Sequence, residues 1–196
     1  MLNSLVDIRR LTVWEYHQLG EIGILEPDEQ VELVGGQIIN KPVKNPPHSA
    51  ATKRVEKLLE NCLGRQVLIR NQEPVRLDKY SEPEPDIAVV KADPLYYEQK
   101  HPVPEEVFLL VEIADTTLKR DREYKGLAYA RSGIKDYWIL DINDRQLLVF
   151  RQPSTEGYKE ELCLTLTESI SPLAFPKVSI KIAQMFSDTK GKLGDR

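Results

Sequence analysis

The stretch VFLLVEIA, residues 107–114, decides the fold, because it is the most apolar strand candidate in the chain. A continuous apolar run of this length is typical of a buried strand. Its one acidic residue, Glu112, shares a strand face with Phe108 and Leu110, since side chains alternate between the two faces. A carboxylate on an apolar face is costly unless a cation or hydrogen-bond donors compensate it. We therefore expect a positive group beside Glu112, which can be an Arg or Lys partner or a metal ion, unless the strand end reaches solvent.

A second carboxylate lies upstream, where Asp86 opens the apolar segment 86–90. The separation of 26 positions from Asp86 to Glu112 leaves room for a strand, a loop and a neighbouring strand. Two carboxylates on adjacent strands can chelate a hard divalent ion such as Mg²⁺, which prefers oxygen ligands. Taken alone, Asp86 is more typical of an ordinary strand start, and only its pairing with Glu112 favours a metal site.

The segment after the central strand has helical periodicity from Leu118 to Ser132 and ends at Gly133. Asp121, Lys125 and Tyr129 are spaced to form one stripe along that helix. The acid and the lysine could pair on a solvated face. If the helix instead packs toward the strand ends, Lys125 could hold a scissile phosphate and help to lower the pKa of an attacking water.

The remaining segments predict an α/β fold in which a mixed β-sheet is flanked by helices. We expect a single domain over residues 1–186 and a loose tail over 187–196. The predicted elements are a first helix from a capping box at Thr12 to about Leu19, a hairpin turning at Gly35-Gly36, a helix from Ser49 to Leu63 ended by Gly64, strands at 67–69, 74–77, 136–141, 146–151 and 162–166, and a short helix at 182–186.

Three further polar residues have both a structural and a functional interpretation. Glu32 beside the glycine hairpin fits an exposed strand position or a site carboxylate. His48 fits the start of a helix or a phosphate contact. Asp141 is most simply a turn former. The two cysteines, Cys62 and Cys163, have too few partners for a disulfide framework or a zinc site and are expected to be buried thiols.

Composition excludes several classes of protein. The chain has 196 residues and a formal net charge of −4, from 27 Lys and Arg against 31 Asp and Glu. The acidic balance argues against a protein that coats nucleic acid nonspecifically, although it allows a nuclease with a local basic patch. Phosphate-binding glycine loops, nucleophile elbows and His/Cys metal spacings are absent from the sequence. No apolar run approaches the roughly 18 residues of a membrane span, so we expect a cytoplasmic protein with no membrane partner.

Taken together and in order, these motifs resemble the Uma-two family of restriction endonucleases within the PD-(D/E)XK nuclease superfamily. The resemblance covers about residues 11 to 151. It rests on the following segments: Leu11–Tyr16, Val31–Gly36, His48, Glu84–Val90, Val111–Thr117, Asp121–Lys125 and Tyr129–Asp141.

The resemblance implies a restriction-endonuclease-like core and a Mg²⁺-dependent phosphodiesterase site, with Mn²⁺ as an alternative ion. Asp86 and Glu112 match the superfamily's two carboxylates, and Glu32 matches the family's hairpin glutamate. The superfamily's lysine would stand two residues after Glu112, where this chain has Ala114. Lys125 on the following helix is the natural substitute.

The first hypothesis is therefore a metal-dependent DNA endonuclease. In it Asp86, Glu112 and the Ile113 carbonyl hold the ion, and Glu32 and Lys125 complete the catalytic set. His48 and Tyr129 are the candidate substrate contacts. Cutting both strands of a duplex favours a homodimer.

Two other hypotheses stay open at this point. One is an inactive nuclease-fold protein that binds nucleic acid or another protein. The other is a structural ion pair between Glu112 and Lys125 or an arginine, with no ligand. If Glu112 is catalytic, we expect Glu112→Ala to abolish cleavage without lowering thermal stability. If Glu112 only forms an ion pair, we expect Glu112→Gln combined with Lys125→Met to be tolerated.

Overall fold

The computed structural model describes residues 8–188 of the chain. In chain order its elements are helix α1 (Val13–Glu21), strands β1 (Val31–Val34) and β2 (Gln37–Asn40), helix α2 (Pro46–Leu63), strands β3 (Val67–Asn71), β4 (Ile87–Lys91) and β5 (Val107–Ala114), helix α3 (Leu118–Arg120), a π-helical turn (Asp121–Lys125), helix α4 (Gly126–Arg131), and strands β6 (Asp136–Asp141), β7 (Gln146–Ser154), β8 (Gly157–Leu164), β9 (Ser169–Ile170) and β10 (Ile180–Lys181). Short 3₁₀ helices lie at Gly64–Gln66, Pro104–Glu106 and Ile182–Met185. No helix in this part of the chain is long and apolar enough to cross a bilayer.

The central sheet has six strands in the order β3-β4-β5-β6-β7-β8. Strands β5 and β6 are parallel, and every other neighbouring pair is antiparallel. The α3, π-turn and α4 segments form the connection between the two parallel strands, as a parallel pair requires. We call these three consecutive segments, residues 118–131, the composite helix.

Helices cover both faces of this sheet. On one face, helix α2 packs Val55 and Leu59 against β4, β5 and β6. On the other face, Tyr129 of the composite helix packs against Leu110 and Ala114 of β5. The expectation of a mixed sheet flanked by helices is confirmed. Glu112, between Leu110 and Ala114 on the strand, therefore faces the composite helix.

The N-terminal capping box and the glycine hairpin are present as predicted. The Glu15 amide donates to Thr12 Oγ1 at 3.2 Å, and the Thr12 amide donates to Glu15 Oε2 at 2.8 Å. Strands β1 and β2 pair antiparallel around Gly35 and Gly36, whose φ angles are +61° and +81°. Two consecutive positive φ angles make the tight turn that joins the strands without splaying them.

Helix α2 begins at Pro46, three residues before the predicted start. Proline is tolerated in the first turn of a helix, where its missing amide has no intrahelical acceptor. The Asn45 side chain caps the helix by accepting the amide of His48 at 3.0 Å. Both Pro46 and Pro47 therefore belong to the helix rather than to the preceding loop.

The predicted strand at residues 74–77 is wrong. Val75 and Leu77 are buried, which explains the strand-like pattern, but their amides donate to the nearby carbonyls of Pro83 and Ser81. The segment is an irregular stretch that folds back on itself beside the sheet. Alternating burial therefore occurs here without ladder pairing.

Two details of side-chain placement also differ from expectation. Phe108 does not share the face of Glu112, because a register shift opposite Val90 turns its ring toward Phe175 and the α2 face. Neither cysteine is a fully buried thiol: Cys62 is half-buried, and Cys163 is exposed and donates to Gln146 Oε1. Most of the predicted tail, from residue 189 onward, lies outside the described residues.

The composite helix contains the one departure from regular α-helix between Leu118 and Arg131. The Gly126 amide bonds to the Asp121 carbonyl five residues earlier, and the Tyr137 hydroxyl donates to the same carbonyl at 3.0 Å. A Cβ at position 126 would lie 3.3 Å from that carbonyl oxygen. The π turn thus forms where Gly126 leaves space beside the Asp121 carbonyl and the Tyr137 hydroxyl donates a hydrogen bond to it. Single π turns inside α-helices are frequent at functional sites.

Candidate active site

Asp86 and Glu112 are brought together by the pairing of β4 with β5. Ile87 is opposite Val111 in this antiparallel pair, so the preceding Asp86 falls opposite Glu112. The Asp86 amide lies 3.4 Å from Glu112 Oε2, and the Ile113 amide donates to Asp86 Oδ2 at 2.8 Å. Both carboxylates line the same cavity.

Three groups donate hydrogen bonds to the Asp86 carboxylate. Besides the Ile113 amide, His48 Nε2 lies 3.1 Å from Oδ2, and Gln72 Nε2 donates to Oδ1 at 3.1 Å. Burial acts to raise the pKa of Asp86, but the hydrogen bonds and the charge of His48 hold it below its usual range. Asp86 is therefore an anion at neutral pH.

Glu112 is enclosed by the composite helix and is only 3% exposed. Its Oε1 accepts from Lys125 Nζ at 2.9 Å and from the Tyr129 hydroxyl at 2.8 Å. Lys125 is thus one of several partners of Glu112, beside the Tyr129 hydroxyl and the Asp86 amide, which Oε2 faces. The stripe of Asp121, Lys125 and Tyr129 is buried, so the alternative of a solvated helix face is excluded.

Glu32 of β1, another of the predicted site residues, lies in this group too. Glu32 is buried rather than exposed, and its Oε2 accepts the Glu84 amide at 2.9 Å. Its Oε1 lies 3.1 Å from Lys125 Nζ, without hydrogen-bonding geometry. One ammonium group therefore lies between two buried carboxylates, Glu32 and Glu112.

Burial acts to raise the pKa of the acidic groups, whereas the positive charges and hydrogen bonds of their neighbours favour the ionised forms. Removal from water raises the pKa of Glu112 to about 8, against the opposing effect of the Lys125 charge. Burial likewise raises the pKa of Asp121. Lys125 stays charged: burial acts against its ammonium form, but the Glu112 and Glu32 carboxylates hold its pKa above the usual range. Asp86, with a lowered pKa, and Glu112, with a raised one, form the kind of divergent carboxylate pair found in active sites.

These groups line a cavity with a volume of about 40 Å³. That is room for about three water-sized spheres, at ~10–15 Å³ each. Its lining also includes residues that sequence reasoning did not select: Lys41, Lys44, Gln72, Glu84, Thr117 and Arg120. The sequence indicates them only where they stand within a few positions of a predicted site residue, as Glu84 does near Asp86 and Arg120 next to Asp121.

The predicted substrate contacts have different surroundings. His48 lines the cavity and bonds to Asp86, so it can orient that carboxylate as well as meet a ligand. Tyr129 is fully buried and its hydroxyl is used by Glu112, so in this structure it has no surface for a substrate. Asp141 is a turn former as predicted, accepting the amides of Asn143 and Asp144.

The donors at the cavity fit a hard divalent cation. They are oxygen atoms of acidic residues, and one of them, Glu32 Oε1, is buried without a hydrogen-bond partner. Within residues 8–188, no three His, Cys, Asp or Glu side chains converge as a complete metal-binding group. An ion here would therefore be held by two carboxylates, with the Ile113 carbonyl and water as the other ligands. Mg²⁺ is usually bound in this way and not in an all-protein cage.

Comparison with known proteins identifies a family and a structure of similar fold. The family model Uma2, described as "Putative restriction endonuclease", matches residues 13–183. The fold is similar to the crystal structure of a "putative nuclease belonging to DUF820" from Anabaena variabilis ATCC 29413, with a TM-score of 0.68 and 18% sequence identity over 90% of this chain and 97% of that one. No match was found among curated proteins.

Proposed function

This chain belongs to the Uma2 family of restriction-endonuclease-like proteins, and on that basis we propose that it is a metal-dependent endonuclease that hydrolyses phosphodiester bonds in DNA. The observation that carries the proposal is the meeting of Asp86 and Glu112 across β4 and β5 at one cavity. A carboxylate pair on neighbouring strands suits a Mg²⁺ or Mn²⁺ ion and a phosphate.

Asp86 and Glu112 would hold the ion, together with the Ile113 carbonyl. When bound, such an ion supplies charge neutralisation at the phosphate and a more acidic water. His48, Gln72 and the Ile113 amide hold Asp86 in its ionised form and fix its orientation. Preorganised ligands of this kind are what a precise site needs.

Lys125 and Glu32 would act beside the ion. Lys125 Nζ is shared between Glu112 and Glu32, so its charge is available at the cavity only if an ion takes over one of these carboxylates. In the proposed reaction the released ammonium would steady the phosphate and its developing charge. Tyr129 would keep Glu112 in place, acting through it rather than on the substrate.

Cleavage of supercoiled plasmid in Mg²⁺ or Mn²⁺ tests the proposal. Asp86→Asn and Glu112→Gln are the suitable variants, because each keeps an oxygen acceptor for the neighbouring donors. Glu112→Ala is not, since it would leave Lys125 and Tyr129 without their buried partner; the expectation that this variant keeps full stability does not fit the structure. We expect loss of cleavage of at least a hundredfold in both variants. Unchanged cleavage in either would contradict the proposal.

One observation favours a second candidate, a nuclease fold without turnover. The direct ion pair between Lys125 and Glu112, at 2.9 Å, is also what a purely structural pair would show. Calorimetric titration with Mg²⁺ and Mn²⁺ separates the two. Binding that Asp86→Asn removes supports the endonuclease, whereas no binding of either ion supports the inactive fold.

We also propose that the protein acts as a homodimer, because the two strands of a duplex need two sites. Sedimentation velocity with and without duplex DNA tests this point. A monomer under both conditions would contradict it.

A further inference from the structure

The loop between β2 and α2 is the most exposed part of the cavity rim. Residues 42–47 are all exposed, and within the described chain Val43, at 95%, is the most exposed large apolar side chain. Single exposed apolar residues are ordinary on protein surfaces. This one differs in its position, because Lys41, Pro42 and Lys44 on either side of it line the candidate active site.

The loop is held firmly at both ends. Before Val43, the Lys41 amide donates to the Gln30 carbonyl at 2.8 Å, and Arg120 Nη1 donates to the Asn40 carbonyl at 3.1 Å. After it, the Asn45 side chain donates to Asp115 and caps α2. Prolines at 42, 46 and 47 fix the backbone further. Val43 thus projects from a short loop whose two ends are held in place, which limits the ordering entropy that is lost when a ligand covers it.

The flanking cations connect the loop to the carboxylates. Lys44 Nζ donates to Gln72 Oε1 at 2.5 Å, and Gln72 in turn donates to Asp86 Oδ1. Lys41 pairs with Glu84 at 2.5 Å. Within residues 8–188, the side chain of Lys44 bonds only to the neutral amide of Gln72, so its charge is the one most available to an anion at the rim.

From this arrangement we propose that the loop Lys41–Lys44 is a duplex-binding wedge: Pro42 and Val43 enter the minor groove of a DNA duplex while Lys44 faces the phosphates along one of its edges. Lys41 is paired with Glu84 and largely buried, so it anchors the loop and does not meet the duplex. The minor groove is ~6 Å wide and has phosphates on both sides. Small apolar wedges flanked by cations are a known means of groove binding.

The wedge deepens the proposed function and rests on it in taking nucleic acid as the substrate. A phosphate bound by Lys44 would place the sugar-phosphate backbone of the duplex near Asp86, because Gln72 bonds to both Lys44 and the Asp86 carboxylate. Val43 and Pro42 offer no side-chain hydrogen bonds to base edges. The loop therefore recognises groove shape rather than sequence.

The test is binding of a short fluorescently labelled duplex without divalent cation, measured by anisotropy over a range of salt concentrations. Val43→Ser should weaken binding about tenfold, as expected for one lost apolar contact, and leave the salt dependence unchanged. Lys44→Gln should lower the slope of log K against log salt by about 0.9, the value for one phosphate contact.

Leu173→Ser is the matched control. Leu173 is also exposed, at 47%, but it lines a different cavity with Val107 and Phe108, at the opposite end of β5 from Glu112. This variant should bind like the wild type. Because Val43 and Lys44 are exposed, neither substitution threatens the fold.

Equal duplex affinity in wild type and Val43→Ser would overturn the wedge. So would an unchanged salt slope in Lys44→Gln, no binding of any duplex, or an effect of Val43→Ser that appears only with single-stranded DNA. Binding of the duplex in this assay, combined with no cleavage of plasmid in Mg²⁺ or Mn²⁺, would by contrast count against the endonuclease and leave the wedge standing.

Discussion

At the scale of single residues, the unusual feature is a buried group in which one ammonium serves two carboxylates. Lys125 lies 2.9 Å from Glu112 and 3.1 Å from Glu32, and all three side chains are almost completely buried. Breaking a buried pair is strongly destabilising, because the remaining charge has no compensation. The three residues therefore act as a unit, and substitutions within it are not independent.

This unit predicts a hierarchy of stabilities in Lys125 variants. Lys125→Met leaves two buried carboxylates without a cation and should lower the free energy of unfolding by about 3–5 kcal/mol. Adding Glu112→Gln should recover only part of the loss, since Glu32 is still uncompensated, and adding Glu32→Gln as well should recover more. Urea denaturation at neutral pH measures the series.

Wild-type stability in Lys125→Met would contradict this view of the group. So would full recovery in the double variant, which the simple pair of Glu112 and Lys125 predicts.

The sequence identified Glu112 and a cationic partner because a lone acid in an apolar strand has few physical solutions. It could not identify the sharing with Glu32, which depends on how the β1–β2 hairpin packs against the sheet. It also could not show that Tyr129 bonds to Glu112. Helical spacing shows which side chains share one face of a helix, but not which residues that face packs against.

At the scale of elements, the hairpin and the composite helix position the site. The hairpin carries Glu32 on β1, and Gly36 at its turn packs against Arg10. The composite helix carries Lys125 within a π turn that the Tyr137 hydroxyl stabilises through the Asp121 carbonyl. A shift of either element would move a charged group of the cavity.

The hairpin turn offers a matched pair of substitutions. Both glycines have positive φ, so alanine costs about 1 kcal/mol or more at either position. At Gly36 the new Cβ would also lie 2.4 Å from Arg10 Cβ, whereas at Gly35 its nearest contact is Tyr124 Oη at 4.0 Å. Gly36→Ala should therefore lower the free energy of unfolding clearly more than Gly35→Ala, as measured by urea denaturation.

Equal losses in the two variants would mean that the close approach of Arg10 has no energetic weight. In that case only the backbone conformation of the turn would matter.

Local signals predicted the hairpin, the capping box and the boundaries of β5 and β6, because each depends on residues that are near in sequence. They failed where tertiary contacts decide. Residues 74–77 alternate in burial without pairing, and the helix predicted from Leu118 to Ser132 contains a π turn that depends on Tyr137 of a later strand.

At the scale of the whole molecule, the distribution of charge around the cavity is unbalanced. Among the described residues that line it, four carboxylates are buried, those of Glu32, Asp86, Glu112 and Asp121, against one buried lysine. Asp86 is ionised, and a cation bound beside it would also favour the ionised form of Glu112, whose pKa burial raises to about 8. A divalent ion is thus one way to balance this group of buried acids.

This imbalance predicts that Mg²⁺ stabilises the folded protein. A ligand that binds only the native state adds about 2.7 kcal/mol at a hundred times its dissociation constant. Thermal unfolding with Mg²⁺ and with a chelator should show a higher Tm with the ion for the wild type. The rise should disappear in Asp86→Asn and persist in Asp28→Asn, an exposed control.

A rise of the same size in Asp86→Asn would place the ion elsewhere. An absence of any rise in the wild type would argue that Lys125 alone balances the site.

The most direct measurement is the anomalous scattering of a crystal soaked in Mn²⁺. The account predicts a peak at about 2.0–2.3 Å from carboxylate oxygens of both Asp86 and Glu112, with Lys125 Nζ displaced from Glu112. A map with no peak at these residues, and with Lys125 still bonded to Glu112 at high Mn²⁺ concentration, would contradict it.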